Sequence, residues 1–454
     1  MSFLAVNPAT EEVLGSYAAH SKGEIDRRLE SAHGTFAQWR RVPYAERALY
    51  LRRCAELLEA ELPAVAQLMT AEMGKTYASA KGEVAKCASL LRYYAEHAPA
   101  MLESESITTS GSSSGVRYEP LGVILAVMPW NYPLWQVVRV LAPNLMAGNV
   151  VVLKHAPNVP GCASLIEELF VRSGLPEGCV VNLFAEIDDV AHVVGDDRVA
   201  GLTLTGSERA GRVIGELAGR HLKKCVLELG GSDAFIVGET ADLDDTVESA
   251  VSARLQNNGQ SCIAAKRFIV VARHADAFIE RFSDAMAAVP TGDPMDPATV
   301  LGPLATRTQL DLLKDQVRSL VDAGGIVRTG GRTPGGRGYY YVATVLSHVA
   351  PDSPAAREEL FGPVAVVHVV ADLAAAIELA NATPFGLGAS IWSRDEDEIR
   401  NAIVGINVGM VFANALVASM AELPFGGVKT SGFGRELGVY GAREFTNVKS
   451  YFVA

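Results

Sequence analysis

Short runs of β-branched and aliphatic residues alternate with helix-like segments from Val116 onward, and this alternation constrains the fold more than any other feature. The strand-like runs are 122–127, 149–153, 179–183 and 202–205, and the helix-like segments include 163–173 and 209–220. A second set of strand-like runs begins after Gly231, at 234–237 and 267–271. Strands that alternate with helices predict parallel sheets covered by helices. The sequence therefore predicts an α/β fold.

The first hundred residues differ, because their apolar residues follow a helical period. Ile25, Leu29, Ala32, Phe36 and Trp39 recur at steps of three and four, which predicts one face of an amphipathic helix. The polar, serine-rich stretch 103–115 predicts a loop or an exposed hairpin tip, and the stretch 329–338 predicts a surface turn. A length of 454 residues is typical of about three domains.

Composition excludes several classes of protein. The net charge of −12 makes the chain a poor candidate for binding nucleic acid or an anionic membrane, so an anionic ligand would need a local cation. The sequence shows no secretory signal and no apolar run of about 18 residues. Its six cysteines are scattered and its nine histidines contain no H-E-x-x-H. These features predict a cytoplasmic protein without a metal site.

The strongest candidate for chemistry is Cys262, at the end of the segment N-N-G-Q-S-C. A cysteine reacts as its thiolate, and neighbouring amides can donate hydrogen bonds to a thiolate or an oxyanion. Most cysteines are simply small buried apolar residues. The polar, turn-forming surroundings of Cys262 favour a nucleophile, whereas the apolar neighbours of Cys162 and Cys225 favour packing.

Two further residues each allow a functional and a structural interpretation. Glu228 lies between two leucines, so it is either a buried carboxylate of raised pKa that serves as a general base, or an edge-strand residue facing water. Asn131, in V-M-P-W-N-Y-P, either caps the following helix or donates to an oxyanion. The pattern alone does not choose between these alternatives.

Two more patterns suggest sites for anionic groups. The chain has no G-x-G-x-x-G motif, but Gly206, Ser207 and Gly211 lie where a strand turns into a helix. That turn would either bind a phosphate or simply be capped by Ser207. Trp135 and Arg139 share one helical face, where Arg139 would either hold a carboxylate or lie on the surface.

Five motifs lie in a fixed order between Trp130 and Glu436: W-N-Y-P, L-E-L-G-G, G-Q-S-C, E-E-L-F-G-P and P-F-G-G-V-K-T-S-G-F-G-R-E. In these motifs the chain resembles the aldehyde dehydrogenase superfamily. Glu228 and Cys262 are also 34 residues apart, as in that family. Within that superfamily, the chain is most similar to the short bacterial succinate semialdehyde dehydrogenases. The features that support this similarity are the compact length, the motifs L-K-H-A-P-N-V and L-E-L-G-G-S-D, and the position of Arg139 eight residues after Asn131.

The resemblance implies a role for each matching residue. Cys262 would be the nucleophile that forms a thiohemiacetal and then a thioester, Glu228 the base that activates the hydrolytic water, and Asn131 the oxyanion donor. Arg139 would hold the carboxylate of a semialdehyde and Trp135 would line the substrate tunnel. The implied contacts to NAD or NADP are Trp130, Lys154, Pro157, Gly206, Ser207, Gly211, Leu229, Glu359 and Phe361. Among them, Lys154 would contact the adenosine ribose, Ser207 the pyrophosphate and Glu359 the nicotinamide ribose.

The resemblance also implies a domain arrangement. A Rossmann-type cofactor domain would comprise 1–102 and 121–230, and an α/β catalytic domain would comprise 231–439. A small β arm, formed by 103–120 and 440–454, would join subunits into a homodimer or homotetramer. The expected partner is a small aldehyde, with neither nucleic acid nor membrane.

Two departures from the family pattern affect these expectations. Pro157 replaces the glutamate of many NAD-preferring relatives and the serine of some NADP-using ones, so we expect both coenzymes to work. Ala264 removes the second cysteine that some relatives use as a redox partner, so we expect no disulfide switch.

Other functions remain open on the same fold. The alternatives are the same chemistry on another aldehyde, such as glutarate semialdehyde or a simple aliphatic aldehyde, transfer of the thioester to coenzyme A, and a catalytically silent binding protein. The glutamate at 228 argues against transfer to coenzyme A. The presence of Cys262, Glu228 and Asn131 together argues against a silent protein.

Overall fold

The computed structural model describes residues 2–454, with the side chains of all of them except 354 and 355. Its strands are β1 (Ser2–Val6), β2 (Val13–Ala18), β3 (Glu105–Ser106), β4 (Ser113–Pro120), β5 (Val123–Val127), β6 (Val150–Lys154), β7 (Val180–Asn182), β8 (Val199–Thr205), β9 (Lys224–Glu228), β10 (Ala234–Val237), β11 (Arg267–Val271), β12 (Ile326–Thr329), β13 (Thr344–Ser347), β14 (Val364–Val370), β15 (Gly388–Trp392), β16 (Met410–Ala413), β17 (Gly432–Phe433) and β18 (Thr446–Val453). The strand-like runs of the sequence are all strands here.

The helices lie between these strands. They are α1 (Lys22–Trp39), α2 (Tyr44–Ala60), α3 (Leu62–Met73), α4 (Tyr77–Met101), α5 (Trp135–Ala147), α6 (Pro160–Arg172), α7 (Ile187–Gly195), α8 (Glu208–Arg220), α9 (Leu243–Leu255), α10 (Ala275–Ala287), α11 (Arg307–Asp322), α12 (Leu373–Asn381), α13 (Glu396–Gly405) and α14 (Gly438–Glu444). The five apolar residues that predicted an amphipathic helix are the buried residues of α1. The α/β fold expected from the sequence is confirmed.

The first large sheet has six strands in the order β17-β9-β8-β5-β6-β7. Strands β5 to β9 are parallel, and β17 joins the edge antiparallel to β9. The chain builds outward from β5 to β7 and then returns to the other side of β5 with β8. The adjacent pair β5 and β8 is therefore a topological switch point, where ligands bind at the carboxyl ends of the strands.

The second large sheet has seven strands in the order β12-β13-β14-β11-β10-β15-β16. All of its pairings are parallel except that of β12 with β13. Residues 229–233 lead from the carboxyl end of β9 directly to the amino end of β10. This short connection brings the carboxyl edge of the first sheet against the amino edge of the second.

A third, smaller sheet has three antiparallel strands in the order β18-β4-β3. Strand β18 pairs with β4 over eight residues, from Thr446 opposite Pro120 to Val453 opposite Ser113. The predicted hairpin tip within 103–115 joins β3 to β4. The apolar side chains of Val448, Phe452 and Val453 are exposed on β18.

The sequence analysis missed the hairpin of β1 and β2, because it assigned a helical pattern to the whole first hundred residues. The hairpin turn depends on Asn7, whose side-chain oxygen accepts a hydrogen bond from the backbone N–H of Ala9 at 2.9 Å. Such a turn at N-P-A-T was a readable local signal.

The largest buried cluster contains side chains from α1 to α4 together with those of the six-stranded sheet. Separate clusters cover the two faces and one end of the seven-stranded sheet. Across residues 2–454, no helix is long and apolar enough to cross a membrane.

Candidate active site

Cys262 follows a strained turn that precedes β11. Asn257 and Asn258 adopt left-handed backbone conformations, with φ of 56° and 58°, inside the 3-10 turn Gln256–Gly259. A Cβ atom on Gly259 would lie 2.5 Å from the backbone of Gly362, so only glycine fits there. Strained, over-determined backbone of this kind is common at functional sites. The polar turn expected around Cys262 is therefore present.

Hydrogen bonds from buried side chains hold this loop in place. The side-chain nitrogen of Asn258 donates to the carbonyl oxygens of Gly74 at 2.9 Å and Pro303 at 3.0 Å. The ammonium group of Lys266 donates to the carbonyl oxygens of Ser261 at 2.8 Å and Cys262 at 2.6 Å. The same ammonium lies 3.2 Å from a carboxylate oxygen of Glu359. The cysteine is thus positioned by contacts on both sides of it.

The local charges control the acidity of the Cys262 thiol. Burial raises its pKa to about 12, Lys266 and Arg139 act in the opposite direction, and Glu359 adds to the increase. The thiol therefore carries its proton at neutral pH until a ligand changes these surroundings.

A first cavity of about 250 Å³ opens at the switch point between β5 and β8. Its wall includes residues after β5, residues after β8, and Cys262 itself. Of the residues predicted to contact a dinucleotide or an oxyanion, those lining this cavity are Trp130, Asn131, Gly206, Ser207, Leu229, Glu359 and Phe361. The sequence separates these residues widely, and the fold brings them to one place.

The features of the first cavity fit a dinucleotide. Ser207 caps α8, since its hydroxyl oxygen accepts from the backbone N–H of Ala210 at 3.3 Å. The start of that helix faces the cavity, where backbone N–H groups favour a phosphate. Trp130 and Phe361 meet edge to face with ring centroids 5.7 Å apart. Ser207 therefore both caps α8 and lines the cavity. A helix cap and a phosphate-binding turn are compatible at this position.

Asn131 joins the first cavity to the cysteine loop. Its side-chain nitrogen donates to the carbonyl oxygen of Gln260 at 2.9 Å, and Asn257 donates to the backbone carbonyl of Asn131 at 2.7 Å. Helix α5 begins beyond it without a side-chain cap, so the capping interpretation of Asn131 is wrong. An amide nitrogen has two hydrogens, which leaves one for a ligand in the cavity.

A second cavity, of about 150 Å³, reaches Cys262 from the other side. Trp135 and Arg139, both on α5, line it together with Tyr132, and Gln136 lines both cavities. A liquid water occupies about 30 Å³, so this cavity holds only a compact molecule. Cys262 is therefore shared by two spaces that differ in their lining residues.

Arg139 is buried, so the alternative of a surface arginine is wrong. It forms an ion pair with Glu436, and its guanidinium lies 4.4 Å from the ring centroid of Phe425. A pair of this kind compensates the charge of both partners. Arg139 thus reaches the second cavity with its positive charge already matched.

Glu228 is 2% exposed, so the alternative of a water-facing edge residue is also wrong. Neither of its carboxylate oxygens has a hydrogen-bond partner among residues 2–454. Burial, followed by the nearby charge of Glu436, raises the pKa of Glu228 well above its ordinary value, while Arg139 opposes this increase. The side chain lines neither cavity and lies with Glu436 and Arg139 instead.

Lys154 and Pro157 lie farther along the first sheet, in a cleft of about 630 Å³. The other walls of this cleft are Asn158, residues 2–4 and residues 185–188. Gly211 is elsewhere, inside α8, where a Cβ atom would lie 2.5 Å from the side chain of Leu229. Gly211 therefore supports the cavity wall from behind and does not line it.

Several residues around Cys262 escaped the sequence analysis. Glu436 was detectable, because it ends one of the motifs quoted above. Lys86, Gln136, Lys266 and Ser419 occur in segments without any recognisable pattern. In the described part of the chain, no group of three or more His, Cys, Asp or Glu side chains could hold a metal ion.

Comparison with known proteins agrees with this geometry. The sequence pattern of the aldehyde dehydrogenase family matches residues 2–451. The succinate-semialdehyde dehydrogenase (NADP(+)) 1 of Mycobacterium tuberculosis is 49% identical to this chain, and the match covers 100% of both sequences.

Two solved structures are similar over almost their whole length. The succinic semialdehyde dehydrogenase of Streptococcus pyogenes, in complex with NADP+, is 38% identical, covers 99% of each chain and superposes with a TM-score of 0.97. The succinate-semialdehyde dehydrogenase of Burkholderia pseudomallei is 34% identical, covers 100% of this chain and 95% of its own, and has a TM-score of 0.96.

Proposed function

We propose that this chain, which belongs to the aldehyde dehydrogenase family, oxidises succinate semialdehyde to succinate with NAD or NADP. One observation carries the proposal: Cys262 lies where a cavity suited to a dinucleotide meets a small cavity that contains cationic side chains. A nucleophile in that position can contact the aldehyde carbon while the coenzyme approaches from the opposite side.

The first half of the reaction forms a covalent bond to Cys262. The thiol proton passes to solvent, the resulting thiolate attacks the aldehyde carbon, and the carbonyl electrons move onto oxygen to give a thiohemiacetal. The remaining N–H of Asn131 and the backbone N–H of Cys262 stabilise that oxyanion. A dinucleotide held in the first cavity would supply the acceptor for the hydride that leaves this carbon as the carbonyl group re-forms. The sulfur and carbon remain joined as a thioester.

The second half needs a base for water. Glu228 is a carboxyl group of raised pKa that lies near Glu436 and Arg139. We propose that its side chain, in the carboxylate form, rotates toward Cys262, takes a proton from water and directs the oxygen onto the thioester carbon. The carbon–sulfur bond then breaks, which releases succinate and restores the cysteine.

The coenzyme would lie along the carboxyl edge of the first sheet. Ser207 and Gly206 would receive the pyrophosphate, and Glu359 the nicotinamide ribose, with Trp130 and Phe361 beside the ring. The cleft with Lys154 and Pro157 would receive the adenosine end. Pro157 offers neither a carboxylate to repel a 2′-phosphate nor a hydroxyl to bind it, so we propose that both coenzymes are used.

The three sheets suggest a division of labour. We propose that 1–102 and 121–230 bind the cofactor, that 231–439 supply the nucleophile, and that 103–120 and 440–454 form an oligomerisation arm. The exposed apolar side chains of β18 support the arm, because such a surface is usually covered by a partner. We propose a homodimer or homotetramer, working in the cytoplasm, where a thiol nucleophile stays reduced.

The test is initial-rate reduction of NAD and of NADP with acidic and neutral aldehydes, without coenzyme A. We expect acid formation, with kcat/KM highest for succinate semialdehyde. Cys262→Ser should abolish the reaction, whereas Cys225→Ser, which alters a half-buried thiol outside both cavities, should not. Turnover by Cys262→Ser at the original rate, or a strict need for coenzyme A, would contradict the proposal.

A further inference from the structure

The charged residues that line the second cavity are matched in pairs, with one exception. Glu83, on α4, is paired with the fully buried Lys75, and it also accepts hydrogen bonds from the backbone N–H groups of Leu134 and Trp135. Arg139 is paired with Glu436. Each pair has no net charge, so neither gives the cavity an excess of positive charge.

Lys86 is the exception. It lies on α4 almost one helical turn beyond Glu83, and it lines the second cavity. Among the described residues, no carboxylate oxygen lies within 4.0 Å of its ammonium nitrogen. The cavity that ends at Cys262 therefore carries one net positive charge.

The surroundings of Lys86 hold this charge in a defined place. Its ammonium nitrogen donates to the hydroxyl oxygen of Ser419 at 2.8 Å and lies 4.1 Å from the ring centroid of Trp135. Both partners also line the cavity. The side chain as a whole is exposed, while its nitrogen lies against the buried indole. The cation is thus positioned at the solvent side of the cavity without being neutralised.

We propose that Lys86 binds the carboxylate of the acidic aldehyde and is the residue that makes the site prefer a charged substrate over a neutral one. This inference rests on the proposed function. Hydrogen bonds to a carboxylate are strongest when the donor is itself charged. Arg139 adds N–H donors from deeper in the cavity, but its charge already belongs to Glu436. Trp135 and Ser419, which also line the cavity, hold the ammonium of Lys86 in place.

The test compares succinate semialdehyde with butanal, a neutral aldehyde of the same carbon count. Lys86→Met keeps the length of the side chain and removes its charge. We expect the ratio of the two kcat/KM values, semialdehyde over butanal, to fall about tenfold or more, mainly through KM for the semialdehyde. Lys86→Arg should restore most of the ratio, because it restores the charge.

Lys81→Met is the matched control. Lys81 is on the same helix and also lies over an aromatic ring, with its nitrogen 4.8 Å from the centroid of Tyr77, but it lines neither cavity. We expect it to leave the ratio unchanged. Thermal unfolding of each variant checks that the fold is intact.

The outcomes separate this inference from the proposed function. If the wild-type protein prefers the semialdehyde and Lys86→Met keeps that preference, the assignment of Lys86 is wrong and the proposed function survives. If the wild-type protein shows no preference for an acidic aldehyde, both are wrong. If Lys86→Met lowers kcat/KM equally for both aldehydes, Lys86 supports the shape of the site and does not bind the carboxylate, and the inference is wrong.

Discussion

The ammonium nitrogen of Lys266 lies 2.6 Å from the backbone carbonyl oxygen of Cys262. Because the same group is ion-paired with Glu359 at 3.2 Å, one buried cation links Cys262 to the residue proposed to hold the nicotinamide ribose. Position and acidity of the cysteine therefore depend on a residue that is not itself among the lining residues of either cavity.

Lys266→Met should make the cysteine less acidic. Lys266 is the largest influence that lowers the pKa of Cys262, so its removal should raise that pKa further and reduce the thiolate fraction at any given pH. We expect alkylation of Cys262 by iodoacetamide to slow by about tenfold near pH 9, since each pKa unit is a tenfold change in thiolate. Mass spectrometry of the Cys262 peptide measures the rate.

Lys449→Met is the control for Lys266→Met, because Lys449 is an exposed lysine on β18 that pairs with Glu119. It should leave the alkylation rate unchanged. An unaltered rate in Lys266→Met itself would show that the loop, and not this cation, sets the acidity of the thiol.

Arg139→Met should destabilise the protein because it leaves Glu436 buried without its partner. Removing one member of a buried pair costs about 3–5 kcal/mol. Burial raises the pKa of Glu436, and Arg139 lowers it. Without Arg139, the pKa of Glu436 in the folded state should rise further. At pH values between the unfolded-state pKa and this raised pKa, the folded variant keeps a proton that the unfolded chain has released. The loss in free energy of unfolding should therefore grow as the pH rises from about 5.5 to 8. Urea unfolding at both pH values measures it.

The double variant Arg139→Met with Glu436→Gln removes both charges and serves as the comparison. We expect it to regain most of the stability and to lose the added pH dependence. If single and double variants unfold alike at both pH values, the two residues are not coupled.

The substrate preference should depend on pH through Lys86. Although the Lys86 side chain is exposed overall, the burial of its ammonium nitrogen, and then the charge of Arg139, lower its pKa to about 8, while Cys87 and Glu83 act in the opposite direction. The ammonium is charged below that pH and neutral above it. KM for succinate semialdehyde, relative to KM for butanal, should therefore rise above pH 8. In Lys86→Arg the relative KM should stay flat to about pH 9.5, because arginine keeps its charge.

Pro157→Glu should turn the enzyme toward NAD. The residue lines the cleft proposed for the adenosine end, next to Lys154. A carboxylate there would repel a 2′-phosphate, and we expect kcat/KM for NADP to fall about tenfold or more while the value for NAD changes far less. Pro157→Gln introduces a side chain of nearly the same shape as glutamate but without its charge. It should therefore lower kcat/KM for NADP much less. Equal effects of the two substitutions would place the 2′-phosphate elsewhere.

Much of the fold was readable from local pattern, since β5 and β10 are short, fully apolar runs and most residues of β6 and β8 are apolar. Periodicity identifies such elements because both faces of a parallel strand are buried. The hairpin of β1 and β2 was missed because its strands are half exposed and its burial pattern is mixed.

The site was predictable only where residues carry unusual local surroundings. Cys262, Glu228 and Asn131 are polar residues in turns or apolar runs, and this mismatch made them visible. Lys86 and Lys266 look like ordinary lysines in the sequence, and their significance depends on partners contributed by distant segments, such as Ser419 and Glu359. The unpaired charge of Lys86 could not be predicted from the sequence, because it depends on which of the other charged side chains form ion pairs in the fold.

The pairing of β17 with β9 has a consequence for synthesis on the ribosome. Gly432 is the direct partner of Glu228, although the whole seven-stranded sheet lies between them in sequence. A nascent chain that ends before residue 432 exposes an unpaired edge at β9 and lacks Glu436, which lies near Glu228. Domains otherwise fold as they emerge. Here the proposed active site can be completed only when almost the entire polypeptide has left the exit tunnel, so we expect truncated translation products to be inactive and prone to aggregate through that edge.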